Sequence, residues 1–160
     1  VSYASLALKN LVWRLEALTP TNTDYNRKFE RYNASSFDPA QGYGTVRDYI
    51  LNWSSDERGI GPEEVEDKSQ LLIRHEIELV ISYPYAGDDE LRTMVVMADD
   101  SIDIAAELMN SDKWVGYDAN NTTDNVGIWS RDYVRAVRSI NNKKIFENTI
   151  SITMLIMESV

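Results

Sequence analysis

Hydrophobic and polar positions along this chain change their period several times, and each change marks an element. Leu8, Leu11, Val12, Leu15 and Leu18 recur at three- and four-residue steps, which predicts an amphipathic helix near the start. Ser2 or Ser5 can cap that helix and Pro20 stops it. From Thr21 to Gln70 the pattern weakens. Pro39, Gly42, Gly44, Gly59, Gly61 and Pro62 punctuate this stretch as loop. Two short strand candidates sit inside it, Lys28–Tyr32 and Val46–Trp53. A connection this long reads as an irregular region or arm whose removal, for instance of Gly42 to Gly61, should spare the fold.

Next comes a period of two. Ile73, His75, Ile77, Leu79, Ile81 and Tyr83 fall on one side. Arg74, Glu76, Glu78 and Ser82 fall on the other, with Val80 as an exception. This predicts a long half-buried strand that ends at Pro84, followed by a turn at Gly87-Asp88-Asp89 that offers a carboxylate cap. The period then becomes helical: Leu91, Met94, Val95, Ala98, Ile102, Ala105, Leu108 and Met109 fit one face. Asp99-Asp100-Ser101 leaves open one long helix or two shorter ones. After an Asn/Asp/Thr-rich loop from Asn110 to Asn125, strands are predicted at Tyr133–Ile140 and Lys144–Met157, with Asn141-Asn142 as a hairpin turn. In the last strand Phe146, Ile150, Ile152, Met154 and Ile156 share a side with one polar exception, Asn148, while Thr149, Ser151 and Thr153 lie opposite. The order predicts an α+β domain, a mainly antiparallel sheet with two principal helices packed on one face. The whole of 1–160 reads as one domain, with the irregular region at about 21–70. Because the strands alternate, one sheet face is partly polar or is covered by another subunit.

Charge narrows the function classes. Twenty-six acids against 16 bases give a formal charge of -10, which argues against a general nucleic-acid binder. It leaves room for a surface that DNA must pass without sticking. With no cysteine there is no disulfide, thiolate metal site or cysteine nucleophile. No apolar run approaches a membrane span and no signal peptide is recognised, so a soluble, intracellularly made protein is expected.

Candidate chemistry is sparse. His75 is the only histidine, and alternation puts it on the face opposite Glu76, so it reads as a rung of the strand. The zinc pattern HExxH needs two histidines on a helix. Glu76 and Glu78, about 6.5–7 Å apart along a strand, could form an acid/base pair, but solvated strands commonly carry such pairs. Asp88, Asp89, Asp99, Asp100 and Asp103 lack the spacing of a calcium loop and read as caps and solubilising charge. Gly42-Tyr43-Gly44 and Gly59-Ile60-Gly61 do not form phosphate loops, and no GxSxG elbow occurs. No catalytic, cofactor or metal site is expected. The one basic concentration is Arg131, Arg135 and Arg138 with Lys143 and Lys144. It reads either as cross-strand pairing with acids or as a contact to an acidic neighbouring subunit. With Glu76, Glu78, Asp88 and Asp89 these arginines are the candidate subunit-interface residues.

An N-terminal amphipathic helix, the strand "RHEIELVISYPY", the helix "LRTMVVMADDSIDIAAELMN" and a final hairpin ending "NTISITMLIMES" follow one another. This order resembles the tail terminator, or head-to-tail joining, proteins of long-tailed bacteriophages, and the resemblance covers most of the chain. It rests on the order of elements and on strand character. It implies a tail-terminator-like structural virion protein with no enzymatic activity and no cofactor, made in the bacterial host cytoplasm. Its copies would form a six-fold ring that caps the tail tube and docks to the neck or stopper protein. DNA would be a passing cargo, and no membrane would be involved. The stretch from Thr21 to Gln70 is longer than in compact members of that family and would add loops for partners. Alternative readings are another head–tail connector component, such as a stopper or head-completion protein, and a small cytoplasmic binding or adaptor domain.

Overall fold

A computed structural model describes residues 3–32, 45–58, 70–85, 90–109, 126–128, 133–140 and 143–159. The chain runs α1 (Tyr3–Ala17), β1 (Glu30–Arg31), β2 (Asp48–Arg58), β3 (Gln70–Tyr85), α2 (Glu90–Met109), β4 (Val126–Ile128), β5 (Tyr133–Ile140) and β6 (Lys143–Ser159). It is an α+β fold with one mixed, mainly antiparallel sheet. β3 and β6 form its centre, paired from Gln70 opposite Ser159 to Tyr85 opposite Lys144. β2 lies antiparallel along the other edge of β3. The far edge of β6 takes β5 along its first half and β4 along its second. Only β1 is parallel to its neighbour, joining β2 at Glu30–Asp48 and Arg31–Tyr49.

Period-two alternation decides which face is buried. Ile77, Leu79, Ile81 and Tyr83 of β3 stand beside Ile152, Ile150, Asn148 and Phe146 of β6, and all are buried. Ala4, Ala7, Leu11 and Leu15 of α1 and Val96, Met97, Ile104 and Leu108 of α2 join the same core, so both helices cover one face of the sheet. Each large aliphatic side chain buried there contributes about 1.5–3 kcal/mol. Tyr49, Leu51 and Trp53 of β2 oppose Ile81, Leu79 and Ile77, and then a bulge between Trp53 and Ser55 shifts the register. The other face carries Glu76, Glu78 and Val80 beside Thr153, Ser151 and Thr149, with Arg74 at the position opposite Leu155. It is the partly polar face that the alternation predicts.

Several boundaries differ from the sequence reading. α1 starts at Tyr3, so Ser5 lies inside its first turn and is no cap, while Ser2 lies outside the described residues. The chain continues to Tyr85 in β3, past Pro84. The two short strands exist, shortened to Glu30–Arg31 and moved to Asp48–Arg58. β4 carries no alternation long enough to have been predicted. Gly87-Asp88-Asp89, Asn141-Asn142 and the whole of the Asn110–Asn125 loop lie outside the described residues. β5 and β6 nevertheless pair from Ile140 opposite Lys143, the register of a two-residue hairpin.

Two outcomes bear on function, the first choosing between alternatives the sequence left open and the second a correction. α2 is one helix of 20 residues. Asp99-Asp100-Ser101 does not break it, because Ser101 Oγ donates to the Met97 carbonyl at 2.7 Å and Asp100 is held by partners outside the helix. The described parts of 21–70 are not an arm. Phe29, Arg47, Asp48 and Tyr49 are buried, and β2 is an integral strand of the sheet. Removing Gly42 to Gly61 would remove β2 and Arg47 and would not spare the fold.

Candidate functional site

A buried polar cluster joins sheet, helix and the segment before β1. Asp100, in the middle of α2, is fully buried. Arg47 grips it with two bonds, Nε to Oδ2 and Nη2 to Oδ1, each 2.8 Å. The remaining guanidinium hydrogens go to the carbonyls of Tyr25 (3.0 Å), Arg27 (2.7 Å) and Asn22 (2.9 Å). All five donors of the side chain are thereby used. Tyr83 adds an O–H bond to Asp100 Oδ2 at 2.7 Å, and Arg47 stacks over the Phe29 ring at 5.7 Å. Next to this group, Asn148 donates from Nδ2 to Ser101 Oγ at 2.7 Å. That bond accounts for the single polar exception in the apolar side of β6. The Asp100 carboxyl is pushed up by burial and pulled back by its Arg47 and Tyr83 bonds. The carboxylate has its charge partner and hydrogen bonds in place, so the cluster reads as a fixture of the fold.

Residues 21–25 form a strap along α2. Thr21 bonds Asp103, Asn22 Nδ2 donates to Asp99 at 2.8 Å, and Tyr25 shares a bond with Thr93 at 3.2 Å. Arg92 donates to the Asp24 carbonyl at 2.7 Å and lies over the Tyr25 ring. The aspartates of α2 are therefore engaged by this strap or, for Asp100, by Arg47. Among the described residues, no group of three or more His, Cys, Asp or Glu could hold a metal ion.

The strap and the polar cluster select the face that α2 buries. Thr93, Val96, Met97, Asp100, Ser101, Ile104 and Leu108 point into the protein. Hydrophobic periodicity alone predicts a different stripe. Among its members with described side chains, Leu108 is buried in the core and Ala105 is half-buried, whereas Leu91, Met94, Val95, Ala98 and Ile102 face outward; the Met109 side chain lies outside the described set. Leu91 and Ile102 are two-thirds exposed, at 68% and 67%. At 100° per residue this stripe lies on roughly the opposite side of α2 from the buried set. Leu91 to Ile102 spans about 16 Å of helix.

A second apolar feature lies between α1 and β2. A groove of about 530 Å³ is lined by Leu8, Val12 and Trp13 of α1 with Leu51, Trp53 and Ile77 of the sheet. Lys9, Glu16 and Arg31 form its charged rim. Trp13 is 66% exposed and Trp53 50%. Past Tyr49, the outer edge of β2 has no neighbouring strand among the described residues. The groove therefore runs beside a strand edge. Its signal in the sequence is Trp13, an aromatic off the apolar stripe of α1, but only packing of α1 on the sheet brings it near Trp53.

The residues singled out from the sequence are dispersed. His75 is buried on the helix-covered face, with its ring edge-on to Trp53 at 4.9 Å. Glu76 and Glu78 lie on the opposite face, at sheet positions beside Thr153 and Ser151. Arg135 and Arg138 sit on β5 opposite Asn148 and Ile145. Arg131 precedes that strand and, like Asp88 and Asp89, lies outside the described residues. Lys144 pairs with Glu90 at 3.3 Å at the surface. Among the described residues no helix is long and apolar enough to cross a membrane. Comparison with known proteins finds no matching family model and no significantly similar curated protein.

Proposed function

We propose that this protein is a structural subunit that closes into a ring, caps the tail tube of a long-tailed bacteriophage and joins it to the neck. One observation carries the assembly part of this reading: the outward stripe Leu91, Met94, Val95, Ala98 and Ile102 on α2. A contiguous apolar stripe on an otherwise strongly acidic chain is the mark of a protein–protein contact. The α+β fold with both helices on one sheet face supports the resemblance that suggests the tail, since that family implies such a subunit. Head-to-tail contacts between copies would close the ring.

On this reading the tail tube protein and the neck or stopper protein are its further partners, and DNA is cargo. A charge of -10 per chain becomes about -60 in a ring of six copies. An acidic lumen would repel phosphates and keep duplex DNA from sticking as it moves through. A basic lumen in the assembled ring would overturn that element.

The test is the mass of purified protein by light scattering, with negative-stain imaging in the presence and absence of tail tubes. Rings of about six subunits, formed alone or on tube ends, are expected. A protein that remains monomeric and ignores tubes would refute the reading. The Trp13–Trp53 groove favours the second reading, a small adaptor domain that holds a peptide in that groove. Binding of such a peptide by a permanent monomer would establish it.

A further inference from the structure

Two apolar surfaces on one chain differ in shape. The outer stripe of α2 is a convex ridge, with Leu91 and Ile102 projecting into solvent. The groove between α1 and β2 is concave and floored by Leu51 and Ile77, with Trp13 and Trp53 at its walls. A ridge and a groove at separate places on the same subunit are the two halves of a head-to-tail contact. The contact would follow the helix-in-groove mode, with anchors at three- and four-residue steps.

Charge favours the same pairing. The chain carries ten more acids than bases, so two copies repel over most of their surface. The groove rim is an exception: Lys9 and Arg31 outnumber Glu16 there. Asp99 and Asp103 border the stripe on one flank, where Arg92 is turned onto Tyr25, while Glu90 on the other flank is paired with Lys144. A cationic rim meeting an acid-bordered ridge gives the docked pair opposite signs at its margins.

We infer that the α2 stripe of one copy seats in the Trp13–Trp53 groove of the next, and that this contact propagates the ring. The inference rests on the ring reading above and adds the surfaces that make the contact. Trp13 is the expected anchor on the groove side, because exposed tryptophans that become buried dominate such contacts.

Ile102→Glu breaks the ridge and leaves the groove intact. Trp13→Glu breaks the groove and leaves the ridge intact. Both positions are exposed, so each variant should fold, and thermal melting checks this. Light scattering of the full-length wild type, each variant and their mixture is the experiment. Each variant alone should fall to the 18.3 kDa monomer. The mixture should recover a species of twice that mass and stop there, since only one intact ridge and one intact groove remain. Milder Trp13→Ala should raise the concentration needed for assembly about tenfold or more. Rings that persist in both charged variants would overturn the inference and leave the ring reading standing. Monomeric variants whose mixture stays monomeric would overturn the ridge-in-groove pairing. A wild type that is monomeric at every concentration, with or without tail tubes, would overturn both.

Discussion

Arg47 and Asp100 lie 53 positions apart and meet as a bidentate ion pair with neither side chain in contact with water. Arg47 also occupies a left-handed backbone conformation, φ 68°, which a non-glycine residue adopts at a cost of about 1–2 kcal/mol. The turn there is closed by Asp48, whose carboxylate accepts from Thr45 N at 2.9 Å and whose N–H reaches the Thr45 carbonyl. The five bonds of the guanidinium hold the strained residue in place. They also tie residues 22–27 and β2 to the middle of α2.

Removing one partner should be severe. Arg47→Ala leaves a buried carboxylate without its cation and should cost about 3–5 kcal/mol. Arg47→Lys should fall well short of rescue, because an ammonium cannot reproduce the planar five-donor fork. Tyr83→Phe should cost about 1.5–3 kcal/mol, the range for a hydrogen bond to a charged group. Urea unfolding of the three variants checks the order. As a contrast, Lys144→Ala should change stability by less than about 1 kcal/mol, because its pair with Glu90 is exposed.

The same carboxyl sets a pH dependence. Burial, the largest influence on Asp100, raises its folded pKa above the ordinary carboxylate value. The native state then holds the proton in a window where the unfolded chain has released it. Stability from this group is full below the unfolded pKa and is lost as pH rises through the folded one. Wild type should therefore gain on Asp100→Asn as pH falls from about 7 toward about 4. Unfolding curves across that range measure the difference. A difference that shrinks would mean that Arg47 outweighs burial.

The Ser101–Asn148 bond couples α2 to β6 away from the ion pair. Ser101→Ala should cost about 1–3 kcal/mol, because it takes the partner from a buried amide. In Ser101→Ala with Asn148→Leu the loss should be smaller than the sum of the single changes. A double-mutant cycle by chemical denaturation reads that coupling.

Deletion of residues 42–61 should abolish cooperative unfolding. It removes β2, the neighbour of β3, together with Arg47, and leaves Asp100 buried without its charge partner. A sharp thermal transition in the deleted protein would contradict this.

Much of the architecture was legible because local pattern and burial agree. In β3 and β6 the alternation named the buried rungs, including His75, since a strand half-covered by helices must place successive side chains in different media. Leu11 and Leu15 likewise named the inward side of α1. Legibility ended where polar residues are buried and apolar ones are not. Asp100, Ser101 and Thr93 read as outward-facing from hydrophobicity alone, yet they are the inward positions of α2. Leu91 and Ile102 read as inward, yet each is about two-thirds exposed. For the same reason nothing marked Arg47, inside the strand candidate Val46–Trp53, as a buried residue.

The order of the two helices and of the long strands, the alternation of those strands, the α+β class and the acidic character of the chain were readable from the residues alone. These follow from period and charge, which are properties of neighbouring residues. Folding set the rest: which side of α2 faces inward, that residues 21–25 are a strap and β2 an integral strand, and that Trp13 and Trp53 line one groove. Those outcomes depend on contacts between residues tens of positions apart. A buried ion pair with every hydrogen bond made can outweigh local hydrophobicity and turn a helix about its axis.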